Sequence, residues 1–340
     1  MTSHTYNGTA SVGDFMTLTV DPETLTISYD DRSNGQAGSI PFTWNIDGSY
    51  TLNDPSGNLT FAYEIPGYGI VVKANKTGPA RNSMAMIAAM ETTPVSLAGL
   101  AGTTYNCMTV GTSAGGLQVG SETVTTTAAS TATYWPYGAL AGTAQQAASL
   151  PLTGAVLDIS GSFLTAPLGS GGNAYAFGSA GNVFAIDTTT GSLIATPQAA
   201  TSAFNAAWAG TYKAVSYQKV EAAMSESGVE SGIVSVNDLT LVVNAAGLAS
   251  LYDDLGDQVA SGTLTAVADA SYLFGGAGAP LSTPCNGLFT FRGTAGGVQQ
   301  DFFCSFATGA AVFSVFSAPA PWVPGSSTYS YLYGVGLLAP

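Results

Sequence analysis

Ser113 occupies the central position of a Gly-x-Ser-x-Gly motif in the segment VGTSAGG, residues 110–116. In many serine hydrolases this motif holds the nucleophile on a sharp turn between a strand and a helix. Here a strand-like segment, TYNCMTV, precedes Ser113, but the Gly-, Val- and Thr-rich residues that follow are typical of a second strand. A serine nucleophile also needs a general base, and the single histidine is His4, which we expect in a frayed N-terminus. The sequence therefore disfavours a serine hydrolase and predicts that Ser113 lies in a hairpin turn.

Neighbouring aspartates could hold a cation. Asp30-Asp31 and Asp253-Asp254 each follow a strand-like segment that ends in Tyr, and Asp257 adds a carboxylate close to the second pair. Carboxylate and loop carbonyl oxygens are the ligands that Ca²⁺ takes in proteins, so calcium is the one cofactor that the sequence suggests. The alternative, which we favour, is a polar turn in which Asp accepts hydrogen bonds from backbone N–H groups. Transition-metal sites are not expected, since the chain has one His and three dispersed Cys.

The segment YWPYG, residues 134–138, gathers Tyr134, Trp135 and Tyr137 around a proline. Such a cluster can stack on a sugar or line the mouth of a pocket, because aromatic rings combine a large apolar area with specific geometry. The alternative, which we favour, is a structural role in a core and a turn. These three residues are the candidate ligand-binding residues of the sequence.

Two of the three cysteines flank a predicted hairpin. The segment 285–304 reads as two apolar strands around a Gly-rich turn at 293–297. Folding it about that turn places Cys285 nearly opposite Cys304, at a separation that a cross-strand disulfide can span. The alternative is a pair of buried free thiols. Cys107 is expected to be a small buried apolar residue of a strand.

The composition excludes several classes of partner. Charged residues make up only 8% of the 340 residues, and 7 Lys+Arg against 21 Asp+Glu give a formal net charge of −14. Scattered cations cannot form the positive surface that nucleic acids or anionic lipids require. The chain contains no run of about eighteen apolar residues, so the sequence predicts no transmembrane helix. Few lysines and many Ser, Thr, Gly and Ala residues favour an extracellular or periplasmic location. The N-terminal segment has no signal-peptide pattern, which is compatible both with removal of a signal peptide and with its absence from the start.

Alternation of apolar and polar residues with period 2 dominates the chain, as expected for half-buried strands. Segments 14–21 and 24–30, separated by Pro22 and Glu23, form a hairpin signature. Helical patterns are confined to two short candidates, 142–149 and 219–227. The sequence therefore predicts an all-β protein with very little helix.

An internal repeat indicates several similar units. Residues 16–31 align without a gap to residues 239–254, and seven of the sixteen positions are identical. We refer to these as the two aligned segments. Both continue into a further strand-like segment at the same offset, and weaker similarities extend to the middle of the chain. Self-similarity of this kind is typical of repeated structural units.

We therefore predict two or three repeated antiparallel β-units, with ranges 1–97, 98–205 and 206–340. Units of this size fit either up-and-down barrels or sandwiches, and we favour barrels. The Gly-Thr-Tyr tripeptide at 210–212, just before a predicted strand, resembles the start of lipocalin-like barrels, and three residues imply nothing further.

The sequence favours a non-catalytic exported protein that binds a small apolar molecule or a glycan. The first alternative is a structural or surface adhesion protein built of repeated β-modules, and the second is a barrel enzyme without a conventional triad. No oligomeric state is predicted. Several carboxylates stand singly among predicted strands, and the sequence does not pair them into an acid/base site: Glu64, Glu91, Asp158 and Asp187.

Overall fold

The structure is a computed structural model, and nearly all the regular elements that it describes are strands. The exceptions among the described residues are one helical turn, α1 (Leu97–Leu100), and a 3₁₀ turn at Ala206–Trp208. The predicted all-β class with very little helix is confirmed. The described residues are 2–55, 59–75, 84–111, 118–126, 129–136, 146–151, 155–168, 171–178, 183–188, 190–222, 233–267, 286–295, 298–307, 312–319 and 328–339.

The first sheet is a closed barrel of eight antiparallel strands. Each strand pairs with the next one along the chain, and the eighth pairs with the first. The strands are β1 (His4–Ala10), β2 (Phe15–Asp21), β3 (Thr26–Asp31), β4 (Gln36–Trp44), β5 (Ser49–Leu52), β6 (Leu59–Ile65), β7 (Gly69–Asn75) and β8 (Met84–Glu91).

The second sheet has nine strands, in the order β12-β11-β10-β9-β17-β16-β15-β14-β13. Its first strand in the chain pairs with its last, so β9 lies between β10 and β17. The strands are β9 (Thr104–Gly111), β10 (Gln118–Thr126), β11 (Ala129–Pro136), β12 (Gln146–Pro151), β13 (Val156–Leu157), β14 (Phe163–Pro167), β15 (Asn173–Gly178), β16 (Phe184–Thr188) and β17 (Gly191–Pro197).

The third sheet repeats this plan with nine strands, in the order β21-β20-β19-β18-β26-β25-β24-β23-β22. Here β18 lies between β19 and β26. The strands are β18 (Gly210–Ala222), β19 (Ile233–Val243), β20 (Leu248–Tyr252), β21 (Gln258–Thr263), β22 (Thr265–Ala266), β23 (Leu288–Ala295), β24 (Val298–Phe306), β25 (Val312–Pro319) and β26 (Thr328–Leu338).

All three sheets are antiparallel meanders in which the first strand pairs with the last. This is the connectivity of an up-and-down barrel. In the described part of the second and third sheets, the pairing stops at one place, between β12 and β13 or between β21 and β22. The preference for up-and-down barrels over sandwiches is confirmed. The predicted domain ranges stay a prediction, because membership of a sheet does not show that a unit folds alone.

The two aligned segments lie at equivalent places in the first and third sheets. The first forms the hairpin of β2 and β3, as predicted, and the second forms the end of β19, β20 and the turn that follows. Their registers differ by one residue, because Val20 pairs with Ile27 whereas Val243 pairs with Ala249, one alignment position earlier. That the units are repeats of one another stays a prediction.

Side chains fill the interior of the first barrel. Alternate residues of a strand point to opposite faces, and a barrel of about eight strands is just wide enough for its inward side chains to fill it. The largest inward residues, Tyr6, Phe42 and Tyr50, are at most 2% exposed. The buried interior cluster is Tyr6, Ala10, Met16, Leu18, Val20, Ile27, Ile40, Phe42, Tyr50, Leu52, Ala62, Ile70, Val72, Ala85, Ile87 and Ala89.

A second apolar cluster, which we call the shared core, lies between the three sheets. It contains outward-facing residues of the first barrel, such as Tyr63 and Val71, with Ile194 of the second sheet and Val335 of the third. Val71 belongs to the shared core while the next residue, Val72, belongs to the barrel interior. Both faces of the first half of β7 are therefore buried, which explains why residues 69–72 form a continuous apolar run instead of an alternation.

Polar contacts also join the sheets. The Thr9 hydroxyl of β1 donates a hydrogen bond of 2.6 Å to the Asp187 carboxyl group of β16. Lys73 of β7 lies 3.2 Å from the Asp238 carboxylate of β19. Asp187 is only 1% exposed, and a buried polar group without a partner is costly. These contacts therefore fix the orientation of the first barrel against its neighbours.

The structure differs from the predicted disulfide in register. The last pair of β23 and β24 is Ala295 with Val298, so the register is centred two residues beyond the centre assumed from the sequence, and Cys304 pairs with Phe289. Cys304 and Cys107 are buried and do not form a disulfide with each other, and Cys285 lies outside the described residues. The glycines at 293–297 suggested a wide turn, whereas Gly293 is a strand residue packed against Ala260.

We expect Cys304 to resist alkylation in the folded protein. It is 0% exposed, and burial raises the pKa of its thiol, so little of the reactive thiolate forms. Iodoacetamide labelling followed by mass spectrometry, before and after unfolding without a reductant, measures this. Fast labelling of the native protein would contradict the burial, and failure to label after unfolding would reveal a disulfide.

Two local predictions from the sequence are wrong. The helix candidates at 142–149 and 219–227 overlap strands β12 and β18, because pairing with neighbouring strands outweighs weak helical propensity. His4 is not in a frayed terminus. It is the first residue of β1, pairs with Val20 and lies 3.6 Å from the Glu91 carboxylate.

Candidate functional site

A cavity of about 250 Å³ lies at one end of the first barrel. This is the end at which β1 begins and β2, β4 and β6 finish, since successive strands run in opposite directions. We call it the barrel mouth. It is lined by Thr2, His4, Val20, Pro22, Trp44, Glu64 and Pro66.

These side chains lie at the mouth because each belongs to, or follows, the end of a strand. Trp44 is the last residue of β4 and follows inward-facing Phe42 at the spacing of two that keeps side chains on one face. Val20 and Glu64 are each the next-to-last residue of their strands, β2 and β6. Pro22 and Pro66 lie just beyond strand ends, where a residue without a backbone N–H does not break the ladder.

A buried carboxylate forms the polar element of the mouth. Glu64 is 7% exposed, and its two oxygens accept hydrogen bonds from the hydroxyls of Tyr6 and Tyr50. The backbone N–H of Gly67 in turn donates to the Tyr6 hydroxyl. Both oxygens of Glu64 act as acceptors, which is the role of an ionised carboxylate.

The two tyrosines stay protonated. Burial, followed by the hydrogen bond and the negative charge of Glu64, raises the pKa of Tyr6 and of Tyr50 far above the usual value of a tyrosine. Each hydroxyl is therefore a fixed donor. Because Tyr6 and Tyr50 belong to different strands, Glu64 holds two parts of the barrel together below the cavity.

Aromatic rings form one wall of the mouth. Trp44 packs edge-on against Tyr50, with ring centroids 4.5 Å apart, and Tyr50 stacks on Phe42 at the same distance. Trp44 is nevertheless 46% exposed, which is unusual for so large an apolar side chain. Contact with Tyr50 therefore holds the Trp44 ring in place, while nearly half of its surface is exposed to solvent.

This arrangement suits binding better than proton transfer. Both oxygens of Glu64 already accept a hydrogen bond from a tyrosine hydroxyl, which stabilises the ionised carboxylate and makes it a weaker base. The tyrosines are donors with raised pKa values and do not serve as bases at neutral pH. An apolar cavity with one precisely placed polar group is the usual design of a small-molecule site.

A smaller cavity, of about 120 Å³, lies where the first barrel meets the second sheet. Its lining includes Met90 and Glu91 of β8 and Gly178 of β15. The carboxylate of Glu91 also faces His4, which lines the barrel mouth. The cavity is about half the size of the mouth, and Glu91 supplies the one carboxylate among its lining residues.

The described lining of the mouth differs from the residues that the sequence motifs singled out. Ser113 and Tyr137 lie outside the described residues. Tyr134 and Trp135 are strand residues of β11 in the second sheet. The described element after Ser113 is β10, an antiparallel partner of β9, and a nucleophile elbow requires a helix there.

The predicted calcium ligands take part in turns. Asp31 accepts hydrogen bonds from the backbone and side-chain amides of Asn34. Asp253 accepts from the backbone N–H groups of residues 255 and 257. Asp30 lies 3.5 Å from Arg32. In the described part of the chain, His, Cys, Asp and Glu side chains are not grouped as metal ligands in sets of three or more, so the calcium hypothesis has no further support, and Asp254 and Asp257 stay predictions.

Comparisons with known proteins leave the family open. No family model and no curated protein matches the chain. A solved structure of the vaccine antigen transferrin-binding protein B from Haemophilus parasuis, a double mutant, shares 9% identity over 99% of this chain and 76% of that one, with a TM-score of 0.33. A protein of unknown function from Nostoc punctiforme shares 8% identity over 72% of this chain and all of the other, with a TM-score of 0.23. Scores this low carry no argument about function. No described helix is long and apolar enough to cross a membrane.

Proposed function

We propose that the protein is a non-catalytic, exported β-barrel protein that binds a small apolar molecule at the barrel mouth. The observation that carries this proposal is the cavity of about 250 Å³ with an aromatic wall and a single buried carboxylate. Its volume falls just below the range of about 300–1,000 Å³ that is typical of ligand pockets. The ligand is therefore small, with one or two rings at most.

The filled interior of the barrel supports binding at the mouth instead of inside the barrel. Tyr6, Phe42 and Tyr50 occupy the barrel below the mouth, so the ligand does not enter the barrel axis as it would in a wide barrel. It rests on the Trp44 ring instead. The low share of charged residues, 8%, and the scarcity of Lys support export. A glycan is less well matched, because the mouth offers few hydrogen-bonding groups besides Glu64.

A structural role is the second candidate function. It is favoured by the shared core, which joins the three sheets into one assembly. Fully exposed aliphatic side chains at loop tips, Ile46 and Ile159, would then contact neighbouring molecules. Light scattering tests this role, since self-association that is lost when both isoleucines are replaced by Ser would favour it.

Binding at the mouth is tested with 2-phenylethanol, a neutral aromatic compound that fits the cavity. We expect saturable binding with a dissociation constant of about 1 mM, measured by calorimetry. Trp44→Ala should weaken binding at least fivefold, equivalent to about 1 kcal/mol of lost contact.

The matched control is Ile46→Ala. Ile46 lies in the loop after β4, is fully exposed and does not line the cavity, so its removal should leave the affinity unchanged. Equal effects of the two substitutions, or no saturable binding in the millimolar range, would contradict a ligand site at the mouth.

A further inference from the structure

We propose that the barrel mouth selects an organic cation, namely a small apolar molecule that carries a protonated amine. The amine lies against the Glu64 carboxylate and the apolar part lies on Trp44. This inference rests on the proposed function, because it names the chemical class of the ligand for the same site.

The first argument is the uncompensated charge of Glu64. Its partners in the described part of the chain are the neutral hydroxyls of Tyr6 and Tyr50, and no described Lys or Arg pairs with it. A buried charge is costly unless it is paired. Two hydroxyls satisfy hydrogen bonding but leave the net charge, and each carboxylate oxygen has a second lone pair for another donor. A cationic ligand supplies the missing charge.

The second argument is the aromatic wall beside the carboxylate. The exposed Trp44 ring and the Tyr50 ring behind it are 4.5 Å apart, and Tyr50 donates to Glu64. An indole face attracts a cation through its electron-rich π-system. A carboxylate and an indole side by side favour an ammonium over a neutral group of the same shape. They disfavour a carboxylate ligand, which Glu64 would repel.

The third argument is the distribution of charge along the barrel. At the mouth end, Asp21 ends β2 and Glu91 ends β8. Of the described cations, Arg32 follows β3 at the opposite end, Lys73 pairs with Asp238 of the third sheet, and Lys213 pairs with Asp47 in the loop after β4. At the mouth, His4 faces Glu91 at 3.6 Å. With a chain charge of −14, the field at the mouth attracts cations.

The test compares 2-phenylethylamine with 2-phenylethanol at neutral pH and low ionic strength. The two compounds differ only in the amino and hydroxyl groups, and the amine is protonated, as a Lys side chain is. We expect the amine to bind about tenfold more tightly than the alcohol, a preference that falls as salt is added. Glu64→Gln should reduce the ratio of the two affinities to about one while the alcohol still binds.

The control is Asp254→Asn, which removes the same charge from an exposed turn of the third sheet and should preserve the tenfold ratio. If the wild-type protein binds both compounds equally, the selection of cations is wrong and the ligand site stands. If neither compound binds, the proposed function fails, and this inference with it. The ratio of the two affinities in the wild-type protein tests the selection of cations even if Glu64→Gln fails to fold.

Discussion

Gly13→Ala is expected to destabilise the protein by about 3 kcal/mol or more, because two costs combine. Gly13 lies in the turn between β1 and β2 with φ +92°, a conformation that side chains rarely adopt. A Cβ atom there would lie 2.4 Å from the carbonyl oxygen of Thr188 and 2.5 Å from the amide nitrogen of Thr190. These are backbone atoms of the second sheet and cannot rotate away. The substitution therefore forces the first barrel and the second sheet apart.

Gly35→Ala is the matched control. Gly35 also has positive φ, +64°, in the turn between β3 and β4, but an added Cβ would meet no atom within 4 Å. Its expected cost is about 1 kcal/mol, from the backbone conformation alone. Urea unfolding followed by circular dichroism measures both variants. If Gly13→Ala costs no more than Gly35→Ala, the close contact between barrel and sheet is refuted.

Asp187→Asn is expected to stabilise the protein at pH 8 by a few kcal/mol and to change little at pH 4. Burial, with the negative charges of Asp14 and Asp31 across the interface, raises the pKa of Asp187 to about 8. The hydrogen bond from Thr9 opposes this shift only in part. One pKa unit corresponds to about 1.4 kcal/mol, and Asn keeps an acceptor for Thr9 without ionising.

The sign of the pH dependence follows from linkage. An unfolded aspartate ionises near pH 3.8, whereas folded Asp187 retains its proton up to about pH 8. Below the lower value the proton is bound in both states and the stabilisation is fully present. As the pH rises through this window, the unfolded state loses its proton first, so the free energy of unfolding falls, and above the upper value it levels off.

The difference in unfolding free energy between wild type and Asp187→Asn isolates this residue, because other carboxylates contribute equally to both proteins. The measurement is a series of urea unfolding curves from pH 4 to pH 9. A constant difference for Asp187→Asn would mean that Asp187 is ionised in the fold.

The sequence predicts the fold class well because strand alternation and turn residues are local signals. The sequence does not show which face of β6 lies inside the barrel. Phe61, Tyr63 and Ile65 look like the inward face of a strand, and Glu64 looks like a solvent-facing residue. In the structure the apolar residues face the shared core, and Glu64 faces the barrel interior. Periodicity shows which residues share a face, but it does not show which face is inside when both are buried.

The sequence could not predict the candidate site, because its residues are brought together only by the barrel fold. Tyr6 and Tyr50 lie 58 and 14 residues from Glu64 along the chain. Their meeting depends on barrel closure through β1 and β8 and on the register of β5 with β6. No short sequence motif indicates a contact between residues so far apart along the chain. The motifs that the sequence does display, at Ser113 and at the aspartate pairs, arise from turn chemistry in a chain rich in Gly and Ser.

The shared core has a consequence for synthesis. All eight strands of the first barrel have been synthesised by residue 91, but Val335 and Leu337, which cover the apolar outer wall formed by Tyr63 and Val71, are synthesised much later. At roughly 5–20 residues per second this wall waits for on the order of ten to fifty seconds. During that interval the outer wall lacks its apolar partners from the third sheet, and transiently exposed apolar surface of this kind makes incompletely folded chains prone to aggregate.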